Sequence, residues 1–251
     1  MKRGAAVVLA AGEGKRMRSP IPKVLHPLAG RPLIAWVLDA ARGAGLSRFV
    51  IVVGRGGEEV AAAASGPGVG FVVQHERKGT GHAVQQAEPL LGRHDGPLVI
   101  LSGDVPLIRA ETIGGLLAAH EAGGATATVV TAEMPDPTGY GRIVKGESGL
   151  VDRIVEEKDA SEEERAIREI NSGTYCFDAR VLFEALPSLR AENASGEYYL
   201  TDTIAVLRGR GLPVRPFPVA DRWEIFGINT PAHLEQAAAH LAARGGGRKH
   251  G

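Results

Sequence analysis

Gly12-Glu13-Gly14-Lys15-Arg16-Met17, followed by Pro22-Lys23, sets two glycines and several cations directly after the apolar run Ala5–Ala10. That combination suits phosphate. Glycines let backbone N–H groups approach an anion, Arg16 can grip phosphate oxygens as a planar fork, and Lys23 adds a compact point charge. Two better-known phosphate loops do not fit. A Walker loop needs Gly-x-x-x-x-Gly-Lys-Ser/Thr, and in the dinucleotide fingerprint Gly-x-Gly-x-x-Gly, Met17 stands where the third glycine belongs, which argues against an NAD-dependent enzyme. Taken alone, the glycines also describe a strand-to-helix turn, and Lys15, Arg16 and Arg18 an ordinary charged surface.

Asp104, in Ser102-Gly103-Asp104, follows a second apolar run, Leu98–Leu101, so its carboxylate is placed to enter a crevice. Hard Mg²⁺ takes oxygen ligands, few of them from protein, and leaves room for phosphates and water. One carboxylate plus the amide oxygen of Asn229 would suffice. The structural alternatives are a turn or cap at Asp104 and a helix cap at Asn229-Thr230-Pro231.

These residues need a frame. Ala5–Ala10, Phe49–Val53, Gly70–Val73 and Leu98–Leu101 read as buried strands separated by amphipathic segments, which is the pattern of an α/β domain with a mostly parallel sheet. In Leu33–Ala44 the apolar residues Leu33, Ile34, Val37, Leu38 and Ala41 fall on one helical face. Ligands in such sheets lie beyond the carboxyl ends of the strands, so the loops after Ala10, Val73 and Leu101 are expected to meet in one pocket. Further on, Ala125–Thr131 reads as a strand, and Arg142–Lys145 with Leu150–Glu156 as a hairpin covering the site. Lys158–Glu169 is a charged excursion and Ile170–Phe177 a returning strand, while Leu200–Leu207 and Pro231–Ala243 read as helices. We expect a single domain over residues 1–244, in halves 1–124 and 125–230, and a disordered tail over 245–251.

Composition narrows the classes. The chain has 251 residues, 44% of them hydrophobic, enough for one full core. Twenty-nine basic and 29 acidic residues cancel, which gives no electrostatic support for long nucleic acid but permits a local cationic pocket. No run is long enough to span a bilayer, and the N-terminus does not read as a secretory signal. Cys176, the single cysteine, excludes an internal disulfide framework and reads as a core thiol. The expected location is the cytoplasm.

The pattern Leu-x-x-Gly-x-Gly-x-Arg-Met followed by Pro-Lys resembles the opening of the sugar-1-phosphate nucleotidyltransferases. Gln74, Gly79-Thr80-Gly81-His82-Ala83, Gly103-Asp104-Val105-Pro106-Leu107, Asp136–Ile143, Glu156, Glu169–Gly173, Gly196–Asp202 and Gly227-Ile228-Asn229 extend the likeness over roughly nine-tenths of the chain. Among members, it is similar to those that uridylylate N-acetylglucosamine-1-phosphate. The resemblance implies a Rossmann-like sheet with helices on both faces plus a hairpin-bearing sugar-binding insertion. It also implies Mg²⁺, UTP and N-acetylglucosamine-1-phosphate as cofactor and substrates, with glucose-1-phosphate as the alternative acceptor. A catalytically silent nucleotide-sugar sensor is the alternative of another class.

Site residues follow by the same likeness. Arg16 and Lys23 would be catalytic, and Asp104 with Asn229 would hold the metal. Leu9, Ala10, Ala11, Gly12, Gly14, Gln74, Gly79 and Thr80 would bind nucleotide. Gly103, Gly141, Glu156, Asn171, Glu197, Tyr199 and Thr201 would bind sugar. His26 and His82 are expected to be hydrogen-bonded packing residues, because an ionised phosphate nucleophile needs no imidazole base. Ser102 and Phe226 depart from the residues many members carry. Many members continue into an acetyltransferase β-helix, and no hexapeptide repeat is seen here, so only uridylyl transfer is expected. Without that domain the expected state is a monomer or weak homo-oligomer.

Overall fold

In the computed structural model, which describes residues 4–54 and 57–246, the first apolar run forms strand β1 (Ala5–Ala10). Its side chains alternate between two cores. Ala5 and Val7 enter one apolar cluster while Ala6, Val8 and Ala10 enter the other, as a strand covered on both faces requires. A small ribbon of β2 (Pro27–Leu28) and β3 (Arg31–Pro32) leads into a helix over Leu33–Gly43, which buries the five apolar residues expected on its face.

The remaining strands are β4 (Arg48–Val53), β5 (Val69–Val73), β6 (Pro97–Ser102), β7 (Ala127–Glu133), β8 (Arg142–Lys145), β9 (Val151–Val155), β10 (Glu169–Asp178) and β11 (Val214–Pro218). Together with β1 they form one nine-stranded sheet in the order β11-β7-β10-β6-β1-β4-β5, with β8 and β9 attached through β10. Strands β6, β1, β4 and β5 run parallel, with Val7 opposite both Val50 and Ile100. After β5 the chain crosses back to lay β6 on the far side of β1. The strand order therefore reverses between β1 and β6, and their carboxyl ends frame a crevice.

β10 runs antiparallel to both β6 and β7 and joins the second half of the chain to the same sheet. Strand β7 begins two residues later than the sequence pattern indicates and runs on to Glu133. β11 was not anticipated, because Pro216 and Pro218 contradict a strand interior; it lies at the sheet edge, where a missing N–H is tolerated. The expected hairpin is β8–β9. The last helix, Pro231–Gly246, extends through Gly245 and Gly246, two residues into the segment expected to be disordered; residues 247–251 lie outside those described. Cys176 is fully buried, which pushes its thiol pKa well above the ordinary range. Among the described residues, no helix is long and apolar enough to cross a membrane.

The hairpin is fastened by a residue that sequence patterning passed over. Arg142, 1% exposed and paired with Ile170 on β10, donates from its guanidinium to the Tyr140 carbonyl, to the Arg165 carbonyl (3.4 Å) and to Glu157 Oε2 (2.6 Å). Removing it leaves a buried void and orphaned acceptors. Arg142→Ala is expected to lower unfolding stability by about 3 kcal/mol, measured from the urea midpoint, and a loss below about 1 kcal/mol would show that this fork does not anchor the insertion.

Candidate active site

The loops after β1, β5 and β6 meet as expected, around a cavity of about 270 Å³ at the strand-order reversal. Leu9 and Ala10 line it from the end of β1, and Ala11 and Gly12 from the loop that follows. Gln74, Gly79 and Thr80 line it from the second, and Asp104 and Lys23 from the floor. Glu197, expected among the sugar contacts, lines this same cavity. Four liners, Val24, Arg77, Ala83 and Ser102, stand outside the expected set. Arg77 also pairs with Glu13, so it ties the β5 loop to the glycine-rich loop. The charged run Glu76-Arg77-Lys78 after Gln74 was its signal in the sequence.

Two glycines shape these loops by necessity. Gly14 has φ +65°, and a Cβ there would stand 2.8 Å from Lys23 Cβ, so a side chain would displace Lys23. Gly79 has φ +107°, and a Cβ there would meet the Tyr198 carbonyl oxygen at 2.5 Å. The close approach is used. Tyr198 N–H donates to the Lys78 carbonyl (2.7 Å), Gly81 N–H to the Tyr198 carbonyl (2.8 Å), and Leu200 N–H to Thr80 Oγ1 (2.9 Å).

Lys23 is the centre of the charged cluster. Its ammonium donates to Asp104 Oδ2 and to Asn229 Oδ1 (3.1 Å), and Arg16 Nη2 donates to that same Asn229 oxygen (3.0 Å). The side chains of Lys23 and Asp104 are 16% and 17% exposed, so their pairing is shielded from water and salt. Ile228 N–H donates to the Asp104 carbonyl (2.8 Å) and Gly103 N–H to the Leu9 carbonyl (2.9 Å), which fixes the segments relative to one another. Among the described residues, no three His, Cys, Asp or Glu side chains gather as a metal cage. A carboxylate and an amide oxygen converging on one cationic point form a sparse, all-oxygen donor pair. That pair fits Mg²⁺, which keeps waters and phosphates in its remaining positions.

The other expected residues form a second group alongside. Asn171 N–H donates to the Gly141 carbonyl (2.8 Å), and Asn171 Nδ2 donates to the Tyr175 hydroxyl (2.7 Å). Thr201 Oγ1 donates to Glu156 Oε1 (3.0 Å). Tyr199 hydrogen-bonds to Ser195, and partial burial raises its phenol pKa. Burial raises the Glu156 carboxyl pKa, Thr201 opposes the shift, and Asp202 and Asp159 add to it. Of the two histidines, His82 is hydrogen-bonded as expected, to Gln74 and Gln86. His26 is not: its buried Nε2 has no partner, and only its backbone bonds, to Lys23 and Leu33.

Residues 6–199 match the model of the MobA-like NTP transferase domain. The chain belongs to the MobA-like NTP transferase family. Within it, the chain is 48% identical over 239 residues to the bifunctional protein GlmU of Shouchella clausii and 50% identical over 241 residues to that of Geobacter metallireducens. These matches cover 95% and 96% of this chain but 52% and 51% of the relatives, so the chain spans about half their length. A solved UDP-glucose pyrophosphorylase, complexed with UDP-glucose, superimposes with TM-score 0.80 over 97% of this chain and all of its own; at 19% identity it shows a shared fold. The glycine-rich loop sits in the region matched to this family together with every expected site residue up to Tyr199.

The raised Glu156 pKa sets a sign. The fold prefers the protonated carboxyl, so the stabilisation attached to it is complete below about pH 4.3 and is lost as pH rises through the raised value. Glu156→Gln is therefore expected to raise the thermal midpoint at pH 7, with the gain shrinking toward pH 4. A lower midpoint at pH 7 would contradict this.

Proposed function

We propose that this chain transfers UMP from UTP to N-acetylglucosamine-1-phosphate, giving UDP-N-acetylglucosamine and pyrophosphate. The observation that carries the reading is the junction of Lys23, Asp104, Asn229 and Arg16 at the end of the cavity that Gln74 and Gly79 line. A phosphate oxygen of the sugar phosphate attacks the α-phosphorus, a new P–O bond forms, and the bond to the departing pyrophosphate breaks on the opposite side. The nucleophile is already ionised, so no side chain has to remove a proton. Mutual repulsion of two polyanions is the main obstacle, and cations together with aligned amides are what lower it.

Lys23 would hold its ammonium against the charge that grows on the α-phosphoryl group, and Arg16 would fork onto the leaving phosphates. Asp104 and Asn229 would hold Mg²⁺, which when bound would supply positive charge to offset that on the leaving group. Backbone of Leu9–Gly12 and Gly14 would line the nucleotide, with Gln74, Gly79 and Thr80 around the base. Gly103, Gly141, Glu156, Asn171, Glu197, Tyr199 and Thr201 would take the sugar, whose hydroxyls suit carboxylate and amide partners. Residues 1–124 would then serve mainly the nucleotide and 125–230 mainly the sugar. The sequence likeness at Gly139–Ile143 and Glu169–Gly173 supports an aminosugar acceptor, and similarity to proteins named bifunctional GlmU supports the same branch. Monomeric or weakly associated protein, acting in the cytoplasm, completes the reading.

Pyrophosphate release across nucleoside triphosphates and sugar phosphates tests it. The expected result is Mg²⁺-dependent release that is fastest with UTP and N-acetylglucosamine-1-phosphate, and about a hundredfold lower kcat in Lys23→Ala, equivalent to about 3 kcal/mol of transition-state stabilisation. A clear preference for glucose-1-phosphate would overturn the acceptor, and UTP binding without release would make the chain a sensor.

A further inference from the structure

Gln74 is the residue proposed to read the base, and its side-chain amide is not free to turn. The residue is 4% exposed, and its Nε2 lies 3.0 Å from the Gly79 carbonyl oxygen. A carbonyl oxygen only accepts, so the amide nitrogen, rather than the amide oxygen, faces it. The same nitrogen lies 3.1 Å from His82 Nδ1. Gly79 takes one amide hydrogen and the imidazole takes the second, which Nδ1 can accept only in the neutral ring protonated at Nε2. Burial, with Lys78 adjacent, lowers the imidazole pKa against the opposing effect of Glu76, so this neutral ring prevails at neutral pH. On the far side Gln86 Nε2 donates to the His82 carbonyl (3.1 Å), which holds that nitrogen 3.3 Å from His82 Nε2; the shorter Gln74 contact assigns the ring lone pair to Nδ1 and leaves the Gln86 approach without a hydrogen bond. His82 itself lines a different hollow, with Lys78 and Tyr198, and its ring reaches a lining residue of the nucleotide cavity through its contact with Gln74.

We propose that His82 is a positioning residue for base selection: by taking the second hydrogen of the Gln74 amide, it leaves only Gln74 Oε1 to face the nucleotide. An amide oxygen matches the N3–H of uracil and repels the bare N3 of cytosine. Without His82, a small pivot would keep one hydrogen on Gly79 and offer the other to cytosine. The inference rests on the cavity being the UTP site, and deepens that reading.

Equilibrium binding of UTP and CTP with Mg²⁺, by calorimetry on the full chain, tests it. His82→Phe keeps a ring without the acceptor, His82→Ala removes both, and His82→Asn can place an amide oxygen where Nδ1 stands. Wild type is expected to favour UTP, the Phe and Ala variants to narrow the UTP:CTP ratio about tenfold, the worth of one well-placed hydrogen bond, and Asn to restore most of it. If both affinities fall together and the ratio holds, His82 has a merely structural role and the inference is overturned. A wild type that binds the two nucleotides equally would overturn the uridine reading as well, so the two failures are separable.

Discussion

One ammonium group joins three parts of the chain that are far apart in sequence. Lys23 lies 81 residues from Asp104 and 206 from Asn229, yet its Nζ touches both. This half-buried cluster is what gives the crevice its charge pattern. Water would weaken the same pairing on an open surface, where such ion pairs contribute little, whereas the crevice walls keep it strong. In the proposed reaction a phosphate chain entering here would draw on these two cations, and the two oxygens they now hold would be freed for a divalent ion.

The fold makes that convergence possible. Crossing back from β5 to β6 reverses strand order beside β1 and brings the glycine-rich loop and the Gly103-Asp104 turn to one edge. The Asp104 carbonyl then receives Ile228 N–H, which draws Asn229 to the same point. Gly14 leaves the space that the Lys23 stem occupies. Opposite, Arg142 fastens the hairpin and the Thr80–Leu200 bond ties the two halves together, so the Glu156–Thr201 pair stands beside the cavity on fixed supports.

The parts visible in the sequence are those set by local pattern. Strand β1, the helix Leu33–Gly43 and the hairpin all follow from apolar spacing and glycine placement. Strand β11 was hidden because its prolines contradict strand propensity, and only its place at the edge excuses them. The roles of Arg142, Arg77 and the partners of His82 were hidden for another reason, although Arg77 stood in a visible charged run. Their roles rest on contacts made by the tertiary fold: a guanidinium buried among carbonyls, an ion pair between two loops, and an imidazole behind a glutamine. His26 shows the converse, since a motif position that reads as hydrogen-bonded packing leaves its buried nitrogen unpartnered.

Crystals of the protein with UDP-N-acetylglucosamine and Mg²⁺ offer the most direct measurement. The expected result is metal density between the Asp104 carboxylate and the Asn229 amide oxygen, with Lys23 Nζ moved from Asp104 onto the diphosphate. An intact Lys23–Asp104 pair, with the diphosphate bound elsewhere, would contradict the central claim that this cluster is the phosphoryl-transfer site.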